Sequence, residues 1–143
     1  MNDCKRVKKI YDYGNEPFVT NIIENTKNNT FFRRALWTGD YLQLTLMCIN
    51  PKEEIGIEQH QNTDQILFLV HGYACFKFGE CKNALIEKIT ASPGDAIFIP
   101  AGSWHNVINI GNSTLKLYSI YGPPNHPYGT THKIKDVEEH FAY

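Results

Sequence analysis

Two short stretches of this sequence combine side chains that bind metal ions. The first is Gly56-Ile57-Glu58-Gln59-His60, followed by Asp64-Gln65 and then Gly72. Residues two apart on a strand project from the same face. Glu58 and His60 would therefore present a carboxylate and an imidazole together, about 7 Å apart at their Cα atoms. Gln65 opens the next strand, and its carbonyl oxygen can swing into the same space as a neutral third ligand or as a hydrogen bond to one. The second stretch runs Pro93-Gly94-Asp95-Ala96-Ile97-Phe98-Ile99-Pro100-Ala101-Gly102-Ser103-Trp104-His105-Asn106. Here Pro and Gly turn signals bracket a buried strand and deliver His105 just after the second bracket. Taken singly, each of these residues has an ordinary structural explanation. A lone strand histidine is more often a hydrogen-bonding partner than a ligand, which is the starting point for His71, His126, His132 and His140. Asp64 has the chemistry of a turn residue.

The elements that must position these groups are strands. From Tyr41 to Tyr121 short runs rich in aromatic and branched residues are broken every 8 to 12 residues by Gly, Pro or Asn, the rhythm of an all-β sandwich or barrel. Strands are predicted over Tyr41 to Asn50, Gly56 to His60, Gln65 to His71, Tyr73 to Phe78, Ala84 to Ile89, Ala96 to Ile99, His105 to Asn109 and Leu115 to Tyr121. His71-Gly72 forms a tight hairpin turn between two of them. In the first strand Leu42, Leu44, Leu46 and Cys48 alternate with Tyr41, Gln43, Thr45, Met47 and Ile49, so both faces are partly buried. The first forty residues are less regular. Phe18, Val19, Ile22 and Ile23 hint at a short strand or helical turn, followed by a polar stretch from Glu24 to Asn29. After Tyr121 the run Gly122-Pro123-Pro124-Asn125-His126-Pro127 cannot continue a central strand, because its prolines lack ladder donors. Lys135 to His140 is read as one helical turn.

Composition limits the function classes. A chain of 143 residues is the size of one domain with one core. With 42% apolar residues, 20% charged residues and a net charge of -1, neither disorder nor a polyanion-binding surface is indicated, and nucleic acid is excluded as an expected partner. No run approaches 18 apolar residues, and the polar N-terminus has no apolar segment after it, so no membrane span is expected and a cytoplasmic protein is predicted. Cys4, Cys48, Cys75 and Cys81 have no disulfide or zinc-finger spacing. They read as reduced thiols.

The two stretches together resemble the cupin superfamily. Its second signature motif, Gly, five residues, Pro-x-Gly, two residues, His, three residues, Asn, is matched at Gly94, Pro100, Gly102, His105 and Asn109. In the first motif, counting back from Gly72 places Gln65 at the family's glutamate, His60 at its second histidine and Glu58 at its first. The leading glycine is displaced, since Lys52 stands there. The resemblance implies an all-β fold: a double-stranded β-helix, or jelly-roll-like barrel, over residues 41–121, with an irregular N-terminal arm over 1–40 and an extension over 122–143 that carries the helical turn, all in one domain. It also implies a divalent metal held by Glu58, His60, Gln65 and His105. Two imidazoles, a carboxylate and an amide suit Zn, Fe(II), Mn or Ni rather than Ca.

A finer resemblance, to small single-domain cupins described as mannose-6-phosphate isomerase-like, rests on Trp37-Thr38-Gly39, Gln43 to Met47, the Glu58/His60 and Asp64-Gln65 pairs, and Tyr121-Gly122-Pro123-Pro124-x-His126-Pro127 with Gly129-Thr130-x-His132. Around the metal, Gln43, Thr45 and Met47 are expected to wall a pocket. Tyr118, Tyr121 and His126 are the candidates for catalytic contact, with Tyr118 and Tyr121 on opposite faces because they are three apart. His132 is a further candidate at the barrel mouth, and Arg33 and Arg34 are candidates for binding an anionic group. The function expected is a metalloenzyme acting on a small sugar-like, enediol or carboxylate substrate, of isomerase or dioxygenase type. The alternative is a non-catalytic binding cupin with a structural metal. By the same analogy a homodimer is expected.

Overall fold

The computed structural model describes residues 12–135. Among these residues one short helix, α1 (Ile22–Asn28), precedes nine strands: β1 (Arg33–Thr38), β2 (Gln43–Ile49), β3 (Asp64–His71), β4 (Ala74–Gly79), β5 (Glu87–Ala91), β6 (Ala96–Ile99), β7 (Trp104–Asn109), β8 (Leu115–Gly122) and β9 (Thr131–His132). They form a six-stranded sheet, ordered β6-β3-β8-β2-β1-β9, and a three-stranded sheet, ordered β5-β4-β7. All the pairings are antiparallel. This is the expected jelly-roll barrel. No helix among the described residues is long and apolar enough to cross a membrane.

Most of the predicted strands form where patterning puts them, with ends displaced by a residue or two. The hairpin between β3 and β4 turns at Gly72, whose φ of +90° and whose position against the Thr114 carbonyl, 2.8 Å from any added Cβ, require glycine. The polar stretch after Ile22 is helical: Asn21 caps it by accepting the Glu24 amide, with Glu24 in the first turn and Lys27 in the last. Two strands were not foreseen. β1 and β9 come from the segments on either side of the expected barrel and pair with each other, Arg33 opposite His132 and Arg34 opposite Thr131. A bulge between Ala35 and Trp37 breaks the alternation of β1, which hides it from a period-two search.

Two expected strands are corrected. The segment expected over Ala84 to Ile89 is β5 at Glu87–Ala91, because Ala84 turns back to bridge Cys81. Gly56 to His60 is extended but is no regular strand. Gly56 has φ of +110°, and its N–H is taken by the Asn106 side chain at 3.0 Å instead of by a ladder carbonyl. The backbone contact with β7 consists of isolated bridges, Glu54 to Ile108 and Glu58 to His105, with the Ile55 amide donating to the Val107 carbonyl at 2.9 Å between them. Beyond Lys135, the helical turn expected over Lys135 to His140 lies outside the described residues.

Register divides the barrel interior along its length. Cross-strand partners pair Met47 with Leu117 and Ile49 with Leu115 on β2 and β8, and Leu69 with Leu117 on β3 and β8. These side chains are buried and make an apolar end with Phe32, Phe76 and Val107. Further along the same strands the inward partners are Thr45 with Ser119, and both Gln43 and Gln65 with Tyr121. All five are buried. This polar end receives the candidate ligands.

Candidate metal centre

Glu58 and His105 meet as a hydrogen-bonded antiparallel pair, each amide donating to the other's carbonyl at 2.9 Å. That pairing sets their side chains alongside one another. The polypeptide then passes His60, whose carbonyl accepts the Gly102 amide at 2.8 Å, tying the segment before β3 to the turn before β7. Gly102 has φ of +87°, so the glycine of the Pro-x-Gly turn serves backbone geometry.

Ligating atoms of Glu58, His60 and His105 lie within 4.8 Å of one another. Glu58 Oε2 is 3.1 Å from His60 Nε2 and 3.7 Å from His105 Nε2. The His60 contact lacks hydrogen-bond geometry, and His60 Nε2 is a buried atom with no hydrogen-bond partner. A buried Nε2 this near a carboxylate oxygen, without hydrogen-bond geometry, suits two atoms aimed at a common cation. His105 is oriented by its other nitrogen, Nδ1, 2.9 Å from the Ser103 carbonyl. With Nδ1 protonated to make that bond, Nε2 carries the lone pair that a metal needs. The fourth expected ligand, Gln65, is buried on β3 opposite Tyr121, whose ring lies 5.8 Å from that of His60; its Nε2 donates to Ser119 Oγ at 2.9 Å and its Oε1 has no hydrogen-bond partner among the described residues. A buried imidazole nitrogen without a hydrogen-bond partner, next to a carboxylate and a second, oriented imidazole, fits a divalent transition metal.

The charges agree with this arrangement. Burial by itself would raise the Glu58 carboxyl, but the close approach of His105 and His60 and the positive charge of Arg33 outweigh it and hold the carboxyl well below its ordinary range. Arg33 is buried, with Nη2 3.5 Å from Glu58 Oε1. Burial, opposed mainly by Arg33, raises the Tyr121 phenol, which therefore stays protonated. Burial and then Arg33 lower His126 to about 3, so its ring is neutral.

The structure brings Tyr121 and His126 to the polar end. Tyr121 stands edge-on to His60 at 5.8 Å and to His126 at 5.3 Å between ring centroids. His126 Nε2 is buried without a hydrogen-bond partner. Tyr118 is not brought there: strand parity turns it to the outer face, stacked on Phe68 at 4.7 Å and lining a groove with Phe18, Trp37 and Leu44. Of the two arginines only Arg33 reaches the cluster by a contact to a ligand, and His132 sits beside it across β9. Residues missed by sequence reasoning are Ser103, whose carbonyl orients His105, and Asp12 and Thr38, which brace the turn carrying His126. A backbone carbonyl has no sequence signal, and Asp12 is 26 residues from Thr38.

Comparison with known proteins agrees with the fold. The Cupin domain family matches residues 45–121. The chain is 52% identical to the uncharacterized protein YrkC of Bacillus subtilis (strain 168) over 124 residues, covering 87% of this chain and 67% of that one. It is 40% identical to the uncharacterized protein L612 of Acanthamoeba polyphaga mimivirus, covering 80% and 71%. The crystal structure of BH2720 from Bacillus halodurans is 51% identical and superposes with a TM-score of 0.85, covering 87% of this chain and 94% of that one. Both histidines of the centre, the strands that carry its polar end and the family match coincide in one barrel, and the chain belongs to the cupin family.

Proposed function

We propose that this cupin is a metal-dependent enzyme whose centre is formed by Glu58, His60 and His105 with Gln65 as the neutral fourth ligand, acting on a small sugar-like, enediol or carboxylate substrate. The observation that carries the reading is the convergence of Glu58, His60 and His105 within 4.8 Å, with His60 Nε2 buried and unbonded beside the carboxylate. A divalent ion bound there would act as a Lewis acid on a substrate carbonyl or hydroxyl oxygen.

The chain's own residues do the rest. Glu58 contributes the anionic ligand, kept ionised by its contacts with His105 and His60 and then by Arg33. His105 is held in one tautomer by Ser103. Tyr121 remains protonated and can donate a hydrogen bond, whereas the neutral His126 ring, lowered to about 3 and so a weak base, can hydrogen-bond a substrate hydroxyl and orient it at the polar end. The apolar end of the barrel packs as one buried cluster on the same strands and holds that site's framework.

Elemental analysis of protein purified without added metal is the first test. The expected result is a near-stoichiometric transition metal that is lost in His60→Ala and His105→Ala. The reading is overturned if the wild-type protein neither carries nor takes up Zn, Mn, Fe or Ni. With the metal identified, a panel of sugar phosphates and enediols tests turnover, which His126→Gln should lower by about 10²-fold through loss of substrate orientation while metal content is unchanged.

A further inference from the structure

Gln43 lies on the inward row of β2, fully buried. Its side-chain amide uses its whole hydrogen-bonding capacity. Nε2 donates to Thr38 Oγ1 at 3.0 Å and to the His126 carbonyl at 2.8 Å. Oε1 accepts the Asn125 amide at 3.1 Å and the His126 amide at 2.9 Å. One end faces a carbonyl and the other faces two N–H groups, so the amide's orientation follows from its partners. Three of the four bonds go to the turn that carries His126, and two of them clasp that residue's own N–H and C=O.

The same turn is held again a few residues on. Thr38 Oγ1 donates to Asp12 Oδ2, which also accepts the Gly129 amide at 3.0 Å. The Tyr128 hydroxyl donates to the Asp12 carbonyl at 2.6 Å. Thr38 thus links the two anchors, Gln43 at Asn125 and His126, Asp12 at Tyr128 and Gly129. A proline-rich surface turn needs neither to close. What the double anchoring does is fix the origin of one side chain: the His126 ring, edge-on to Tyr121 at 5.3 Å, with a buried Nε2 that has no hydrogen-bond partner.

We propose that Gln43 is a positioning residue, holding His126 at the polar end of the barrel so that its Nε2 meets a hydroxyl group of the bound ligand, with the proline-rich return acting as a fixed wall of the pocket. This rests on the role given to His126 above. The ligand class it selects is one with a hydroxyl opposite the metal centre, a polyol or an enediol. A hydroxyl can pair with that nitrogen in either tautomer of the neutral ring, as donor or as acceptor, which an all-acceptor anion cannot do.

The test uses metal-free, ¹⁵N-histidine-labelled full chain, with the His126 ring resonances assigned by their loss in His126→Gln. The groups around that ring are Arg33 from β1, Glu58 and His60 from the segment before β3, His132 from β9 and the Tyr121 phenol. In the wild-type protein His126 should show one tautomer and a midpoint close to about 3. In Gln43→Met the midpoint should rise by at least about one pH unit and the ring should average its tautomers, while His60 and His105 signals hold. Gln43→Glu, which keeps both acceptors for the turn amides, should fall between the two. If Gln43→Met lowers the melting temperature but leaves the His126 midpoint and tautomer unchanged, Gln43 is only structural and the proposal is overturned. Hydrogen exchange on the wild-type protein decides the matter even if both variants fail to fold. Asn125 and His126 amides protected like those of β2 support a fixed wall, and exchange about 100-fold faster or more than β2 overturns it. Failure of metal uptake would remove the proposed function without touching these readouts, and failure of the Gln43 effect would leave metal uptake intact.

Discussion

The two ends of one barrel interior are built on the same strands and behave as different materials. At one end Met47, Ile49, Leu69, Leu115 and Leu117 face each other across β2, β3 and β8. At the other the same strands turn Gln43, Thr45, Gln65, Ser119 and Tyr121 inward. The apolar end needs no partners and stabilises through burial and close packing. Every group at the polar end needs a partner, and several buried atoms there, His60 Nε2, Gln65 Oε1 and His126 Nε2 among them, have no hydrogen-bond partner among the described residues. The apolar end thereby supplies the stability against which the polar end can hold unsatisfied groups in place for a metal and a ligand. Because both lie on one set of strands, a slip of one residue in β2 would exchange them for Leu44, Leu46 and Cys48 and abolish the site along with the core.

This contrast can be broken at each end separately. The largest effect is expected for Leu117→Ala, a fully buried side chain of the apolar end. It should cost about 2–5 kcal/mol in chemical denaturation and leave metal stoichiometry unchanged in the protein that remains folded. Removing a bound metal comes next. At a free concentration a hundredfold above its dissociation constant, a metal adds about 2.7 kcal/mol to wild-type stability. Calorimetry with and without a chelator should show that increment, and His105→Ala should not.

A smaller effect should appear as pH falls, from His126. Its folded value of about 3 lies below its ordinary value of 6.5, so between these the unfolded chain binds the proton and the folded chain does not. The stabilising difference is intact above pH 6.5 and is progressively lost as pH drops towards 3. The melting temperature of metal-free protein should therefore fall on acidification through this window, and fall less steeply in His126→Gln. Glu58 acts in the same direction at lower pH, since its carboxyl is held below the ordinary range and its protonation also disfavours the folded state. The smallest change is expected for Tyr118→Phe on the outer face, with stability within about 0.5 kcal/mol of wild type and unaltered metal uptake. A drop in metal content in that variant would show that the outer face takes part in the centre.

How legible these features were depends on how local their causes are. The strands β3, β4, β6, β7 and β8 follow from alternation and turn residues close together in the chain. His105 is announced by the Gly94, Pro100 and Gly102 spacing, and Glu58 with His60 by their separation. The expected geometry of the Glu58 pair was wrong in detail, because Gly56 and the Asn106 side chain replace a regular ladder with single bridges. The pair reaches one site through its bridge to His105, a partner 47 residues on in the chain. β1 was overlooked because a bulge disrupts its period, and β9 because two residues carry no period at all.

The sequence by itself determined the class of fold, the family, and the residue types able to hold a metal, since these depend on composition, on two-residue periodicity and on glycine and proline at fixed spacings. The tertiary structure alone decided which of the candidates meet. It separated Tyr121 from Tyr118 by strand parity, drew Arg33 against Glu58, and set Gln43 and Asp12 as the two anchors of the turn that carries His126. Those are contacts between segments up to 117 residues apart. Their energies depend on register, burial and the hydrogen bonds left over after the ladders are formed, and none of these is a property of neighbouring residues in the chain.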